Sequence, residues 1–496
     1  MADNKPIVSS RATGPGTINK ILVKSNSNQK KFFDVTSLGA PVNFKYYESL
    51  LQDVIYASVT YIDAGNAIAE GGQNFTAVKG LPITGSETVE ISFEDVSGEE
   101  IEVVLLVNKV TEVLEDSGKT MITLEMNSKE LFDNDKIRLN TRLDGKISDH
   151  IETILTDPEY LGPTDEEKRV PGFKEKELHI EQTQGTYNKI MNNKKPFYMM
   201  NYFSTLAIPG EGGDGGNASG NSAGYLLWET SKGFHFRSVD WLFNKDTNPK
   251  KRSILYSDTP DSDGLNIPPG YDMKALAFEK DNRNDIKSKL DQGAYSTRLI
   301  TFNPFNCYYE VTYPNADNKP RDAGGGGNKG SQKNLTLAGD ELPVLNPTIK
   351  SAKGGTNDFS RTTFKYLDVG TLPAGEGVGE EQQDDAGQIA KAEEENANPA
   401  KVLNQAIQRL NQMNNFKISI TIPGDFTLHA GDTVFVDSPM LDATTNRGDT
   451  ASRVDDQSGG LYIIRDLCHY MSPESTYTKI NVVRDSVGRK GTAENG

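Results

Sequence analysis

Apolar and polar residues alternate most cleanly between Gly85 and Asn127. Val89, Ile91 and Phe93 form one such run, Ile101, Val103 and Leu105 a second, and Met121, Thr123, Leu124 and Met126 a third, with DVSGEE and EDSGK between them. A period of two predicts strands, and the short polar breaks predict an antiparallel meander with one face on a core and the other toward solvent or a lumen. The last third returns to this pattern. FKISITIPGDF alternates Ile418, Ile420 and Ile422; HAGDTVFVDSP supplies Val434 and Val436; GGLYIIRDLCHYM and YTKINVVRDS add two more runs. Four strands within about 75 residues pack most simply as a small antiparallel barrel or sandwich.

Other segments fill in around these two regions. INKILVKSNSNQKK predicts an edge strand or an arm on a neighbour, and YYESLLQDVIYASVTYIDAG a short helix or turn feeding a strand that ends at Asp63-Ala64-Gly65. Ile147, Ile151, Ile154 and Leu155 have helical spacing, with Ser148 as the expected N-cap. GYLLWETSKGFHFRSVDWLF predicts a hairpin turning at Ser231-Lys232-Gly233, with Trp228 and Trp241 as core anchors. Leu403, Ile407, Leu410 and Met413 make one stripe of an amphipathic helix that begins near Pro399 and covers the second β-region. Gly-rich stretches at 209–224 and 323–332 and an acidic run at 375–398 predict loops. No fixed-period repeat occurs, but strands, helix and turns appear once in the N-terminal half and again after residue 295, which suggests two related β-domains.

The chain has 496 residues and a formal net charge of −17, enough length for two to four domains. So acidic a chain is a poor match for a phosphate backbone, whose binding draws on Lys and Arg. No stretch of about 18 apolar residues predicts a membrane span, and the start of the chain does not read as a secretion signal. Cys307 and Cys468 lie far apart without CxxC spacing and are expected to be buried thiols rather than a disulfide. The five histidines, His150, His179, His235, His429 and His469, have no metal-ligand spacing, and neither a nucleophile elbow nor a phosphate-binding loop occurs. Cys468 and His469 are neighbours on a strand and so point to opposite faces. These observations nominate no catalytic, cofactor-binding or metal residues, and no cofactor.

The C-terminal series of Pro423-Gly424, Gly431-Asp432, Gly460-Leu461-Tyr462, His469 and Arg484-Asp485-Ser486, following the helix, resembles the second tube domain of the baseplate central hub proteins of T-even-like myophages, cyanophages included. Type VI secretion spike proteins share that fold family. SLLQDVIYASVTYIDAG, LPITGSETVEISFED, LEMNSKELFDNDKIRL and ISDHIETIL are similar to the first tube domain and its outgoing helix. The resemblance runs from about Ile18 to Gly488 and implies an α+β, mainly antiparallel β chain: two tail-tube-like β-barrel domains with inserted and peripheral domains.

The implied division is an N-terminal arm at 1–36, a first tube-like domain at 37–140 completed by about 223–260, and an inserted α+β domain at 141–222. A connection at 261–294, the start of the second tube-like domain at 295–370, the acidic loop at 371–399, the rest of that domain with its covering helix at 400–490, and a tail at 491–496 follow. The resemblance further implies a non-enzymatic virion protein of the baseplate, assembled in the host cytoplasm. Its homotrimer would form a pseudo-hexameric ring between the six-fold tail tube, or a tube-initiator ring, and a separate trimeric spike protein, with baseplate wedge proteins outside. DNA would pass through the lumen without specific binding, and no membrane insertion is expected. The rival reading is a carbohydrate-binding or glycan-degrading phage tail protein, which requires exposed aromatic platforms or paired acids.

Overall fold

The computed structural model describes residues 15–26, 31–39, 41–116, 118–169, 174–210, 223–256, 267–280, 285–295, 297–304, 307–312, 337, 360–366, 368–372, 387, 391–392, 396, 399–438, 454–455, 457–489 and 491–494. The tracts at 211–222 and 323–332 and most of the acidic run lie outside them. The chain is mainly antiparallel β with a few helices.

The meander forms as its alternation predicts. Asn43–Ser49, Tyr56–Asp63, Lys119–Asn127, Glu100–Asp116, Thr88–Glu94, Thr17–Lys24 and Phe32–Asp34 lie side by side in that order, every neighbour antiparallel. Thr17–Lys24 is thus interior, flanked by 88–94 and 32–34. Alternate residues of every strand, among them Phe44, Val59, Leu124, Leu105, Ile91 and Ile21, point into one core, so the sheet curls around it. Each such aliphatic side chain contributes about 1.5–3 kcal/mol by leaving water.

A second unit repeats the arrangement. Ala277–Lys280, Phe416–Pro423, Thr476–Arg484, Gly460–Met471 and Thr433–Asp437 lie in that order, again antiparallel throughout, around Ile418, Ile420, Ile464, Ile480, Val482 and Val434. The strands added next differ from the first unit, because Lys250–Leu255 and Met273–Lys274 join in parallel.

The two units match residue by residue. In the first, Ala57 faces Met126 and Met126 faces Val107; in the second, Ile418 faces Val482 and Val482 faces Ile464. A bulge follows each time, at Asn108 and at Arg465, after which Lys109 pairs with Glu125 and Asp466 with Asn481. Ahead of the long strand the loops agree as well. The Thr84 amide donates to Glu87 at 2.7 Å and the His429 amide to Asp432 at 2.8 Å. Ser86 and Gly431 both take positive φ, 64° and 95°. Their amides donate to the Val107 and Ile464 carbonyls at 2.6 and 2.8 Å. A five-stranded module is thus present twice, with no sequence repeat to mark it; its second copy takes Ala277–Lys280, from the stretch expected to be a connection, together with strands between 416 and 484, and not the strands expected to start it after residue 295.

The rest of the chain packs around the modules. The hairpin of Tyr225–Thr230 and Gly233–Ser238 forms as predicted and takes Glu177–Ile180 in parallel, making a sheet of its own. Thr297–Asn303, Tyr308–Thr312 and Arg361–Tyr366 make another. The helix Pro399–Met413 forms, with Ala406 and Met413 buried. Ser148 is not the N-cap of helix Ile147–Thr156. Lys146 holds that place, and Ser148 is buried in the first turn, its amide donating to the Thr183 hydroxyl. Neither cysteine is fully buried. Cys307 is exposed, in the link between two strands, and Cys468 is half-buried on the face opposite the core.

Candidate functional site

The two units meet at a seam made by one strand. Strand Gly460–Met471 carries Thr476–Arg484 along one edge. Its other edge is divided: Gly460–Ile463 pairs with Thr433–Asp437 of its own unit, and Asp466–Met471 pairs with Asn43–Ser49 of the first unit. The bulge at Arg465 separates the halves, where the Leu50 amide donates to the Arg465 carbonyl at 2.8 Å. Asp466 then collects Ser49 Oγ at 2.7 Å, Asn481 Nδ2 at 3.2 Å and the Arg465 guanidinium at 2.6 Å. One continuous fourteen-stranded sheet results.

The seam is locked from behind by a buried polar cluster. The Glu48 carboxylate accepts from Tyr46 Oη at 2.8 Å, from the Ser231 and Ala430 amides at 3.0 Å each, and contacts His429 Nδ1 at 3.2 Å. Burial alone would raise the Glu48 carboxyl; His429 and the two backbone donors outweigh it and hold it at about 2. His469 stacks on Tyr46, and His235 lies between Trp228 and His179. Burial pushes both His469 and His235 down to about 3. Four histidines that look scattered in sequence thus share one neighbourhood. Among the described residues no group of three or more His, Cys, Asp or Glu is placed to hold a metal ion.

Motif residues singled out in the sequence serve this packing. Gly431 passes under Trp228, where a Cβ would meet the ring at 2.9 Å, and Trp228 Nε1 donates to the Ala430 carbonyl at 3.1 Å. Gly424 abuts Thr476. Arg484 is fully buried, donating to the Gly459 and Gly488 carbonyls at 2.9 and 3.1 Å and stacking over Tyr462. Asp485 receives Arg409 at 3.2 Å, and Arg409 also reaches Asp240 at 3.0 Å, which ties the covering helix to both the second unit and the hairpin region.

The sheet face opposite the two cores runs across the seam without interruption. Pairing in register places Ser58, Lys45, Tyr470, Tyr477 and Thr421 on it, with Lys109, Glu125, Asp466, Lys417 and Lys479 nearby. Lys109 pairs with Glu125 at 3.3 Å, Lys45 lies over Tyr470, and Tyr470 stacks on Tyr477. The face is polar and mixed in charge, so the chain's acidity is not concentrated there. A separate cleft of about 360 Å³ beside Lys24 and Glu90 has its Lys129, Glu130, Glu167 and Lys176 in ion pairs with one another or with neighbours. Among the described residues no helix is long and apolar enough to cross a membrane.

No protein-family model matches the chain, and no curated protein matches it in sequence. Among solved structures it is similar to a tail protein from Neisseria meningitidis MC58, at 9% identity over 95% of this chain and 97% of that one, with a TM-score of 0.45. It is similar to the 43 kDa tail protein of prophage MuSo2 from Shewanella oneidensis, at 9% identity over 95% and 100% of the two chains, TM-score 0.45. A type VI secretion system component from E. coli matches at 7% identity over 92% and 76%, TM-score 0.35.

Proposed function

We propose that this chain is a structural subunit of the central hub of a contractile phage baseplate, and that three copies form a pseudo-hexameric ring joining a six-fold tail tube to a three-fold spike. The observation that carries the reading is the doubled module: two equivalent five-stranded units, joined side by side through one strand, offer six units per three chains. A ring of six units can seat a hexameric tube while its true three-fold symmetry meets a trimeric spike. The continuous polar face is the natural lumen wall. Carboxylates are interspersed among its lysines, so it is not a purely basic track, and under this reading DNA passes without being held. The remaining partners under this reading are the tail tube or tube-initiator protein, a trimeric spike and baseplate wedge proteins, all within the virion. Light scattering on the purified chain tests it: a mass of about three times 54.4 kDa is expected, and a monomer at every concentration contradicts it.

One observation favours the carbohydrate-binding alternative. Tyr309, Phe364 and Tyr366 are exposed on the small sheet around residue 300, with Phe364 and Tyr366 edge to face at 5.7 Å. Trp228, in contrast, is buried and anchors the core. Under that alternative Phe364→Ala abolishes retention on host polysaccharide; under the hub reading it leaves assembly unchanged.

A further inference from the structure

The internal repeat also specifies how one copy would meet the next. In the second unit, the late half of the long strand, Asp466–Met471, receives Asn43–Ser49 of the first unit along the edge opposite Thr476–Arg484. In the first unit, the corresponding half of Glu100–Asp116 has no strand on that edge among the described residues: its cover from Thr88–Glu94 and the loop before it stops at Val107. This open edge follows the bulge at Asn108, as the occupied edge follows the bulge at Arg465. Thr111, Glu112 and Val113 on it are exposed, Val113 to 47%. A long, exposed and partly apolar edge is a template for pairing unless something covers it.

The repeat names the cover. Asn43–Ser49 pairs with Tyr56–Asp63 as Ala277–Lys280 pairs with Phe416–Pro423, so Phe44 corresponds to Phe278, Lys45 to Glu279 and Tyr46 to Lys280. Ala277–Lys280 likewise has no strand on its far edge among the described residues. We infer that Ala277–Lys280 of one copy adds, antiparallel, to the edge at 109–113 of the next copy, repeating between chains the junction that Asn43–Ser49 makes within the chain. Carrying the register across puts Val113 opposite Glu279 and Glu112 opposite Lys280 of the next copy, as Tyr470 stands opposite Lys45 and His469 opposite Tyr46. Glu112 and Lys280 have opposite charges, which suits a directly facing cross-strand pair. The contact is head-to-tail, so it propagates until it closes a ring. It rests on the ring reading above and deepens it to named residues.

The test is a disulfide across the inferred pair. Val113→Cys and Glu279→Cys are combined in one chain carrying Cys307→Ser, since Cys307 is exposed, and light scattering is run on the same samples. Facing strand residues have Cα atoms about 4.5–5.5 Å apart, within disulfide reach. Oxidation is expected to give covalent dimers and trimers and no larger species, while either single variant gives none. Glu112→Lys, at an exposed position, is expected to stay folded by circular dichroism and to weaken self-association about tenfold or more by setting like charges face to face. If the parent protein assembles into trimers but the double variant does not cross-link, or the single variants cross-link equally, this pairing is wrong and the ring reading stands. If the parent chain is monomeric at every concentration, both are wrong.

Discussion

Ile464 and Val107 hold the same place in two ladders. Each turns into its own core, each is the last residue covered by a preceding strand or loop, and each is followed by a one-residue bulge. In the second unit the strand beyond the bulge is covered by the first unit; in the first no strand among the described residues covers it. The chain therefore contains one completed junction and, at its two ends, the halves of another.

The bulge absorbs one residue and so keeps the faces of the late half, because a one-residue shift in a strand exchanges its two faces. Deleting Arg465 removes the extra residue, so Asp466 follows Ile464 in regular alternation, opposite Asn481 as Ile464 is opposite Val482. Leu467 and His469 are expected to stay inside and Asp466 and Tyr470 outside, with thermal unfolding by circular dichroism still cooperative at a lowered midpoint, since the Leu50 amide loses its acceptor at Arg465; loss of cooperative unfolding would mean that the extra residue lies elsewhere.

Gly431→Ala meets two obstacles at once, a positive φ of 95° and the Trp228 ring 2.9 Å from the new Cβ. A loss of about 1–3 kcal/mol is expected in urea unfolding. A shift of tryptophan emission should accompany it, since Trp228 is one of two tryptophans. Unchanged stability and emission would mean that the loop is placed differently.

Arg409 lies buried between Asp240 and Asp485. Arg409→Ala leaves two carboxylates buried without it, at a cost of about 3–5 kcal/mol. Chemical denaturation should register that loss, and Arg409→Lys should recover only part of it because one ammonium replaces a two-pronged guanidinium.

Acid should unfold the seam in a defined order. His235 and His469 are held at about 3 against an ordinary 6.5, so they refuse protons that the unfolded chain accepts. The stability they add is complete above pH 6.5 and falls as pH drops from there toward 3. Glu48, held at about 2 against 4.5, adds stability that is complete above pH 4.5 and falls toward 2. The melting temperature should decline below pH 6.5 and more steeply below 4.5. Glu48→Gln should lower the unfolding free energy at neutral pH by on the order of 3 kcal/mol, and soften the steeper branch.

Local alternation made much of this legible: the meander at 88–127, the strands at 416–484, the hairpin at 225–238 and the helix at 399–413 follow from periods of two and of 3.6. Three features were not legible, each for a physical reason. The four-residue strand Ala277–Lys280 is too short to show a period. The divided edge of Gly460–Met471 depends in its late half on a partner more than 400 positions away in sequence, Asn43–Ser49, and no pattern within a strand reports it. The Glu48 cluster draws Tyr46, Ser231, Ala430 and His429 from three distant segments, so its histidines look scattered until the sheet is folded. The sequence signal for it was slight: a carboxylate, Glu48, directly after the aromatic pair Tyr46 and Tyr47 in strand Asn43–Ser49.

The most direct test of the central claim is the symmetry of the assembled particle in electron-microscopy class averages. The account predicts a ring with an axial hole whose rim has six lobes, six-fold at low resolution and three-fold once the two modules are distinguished. A particle with only three lobes, or one whose lobes do not enclose a hole, would contradict the pairing of two equivalent modules in one ring.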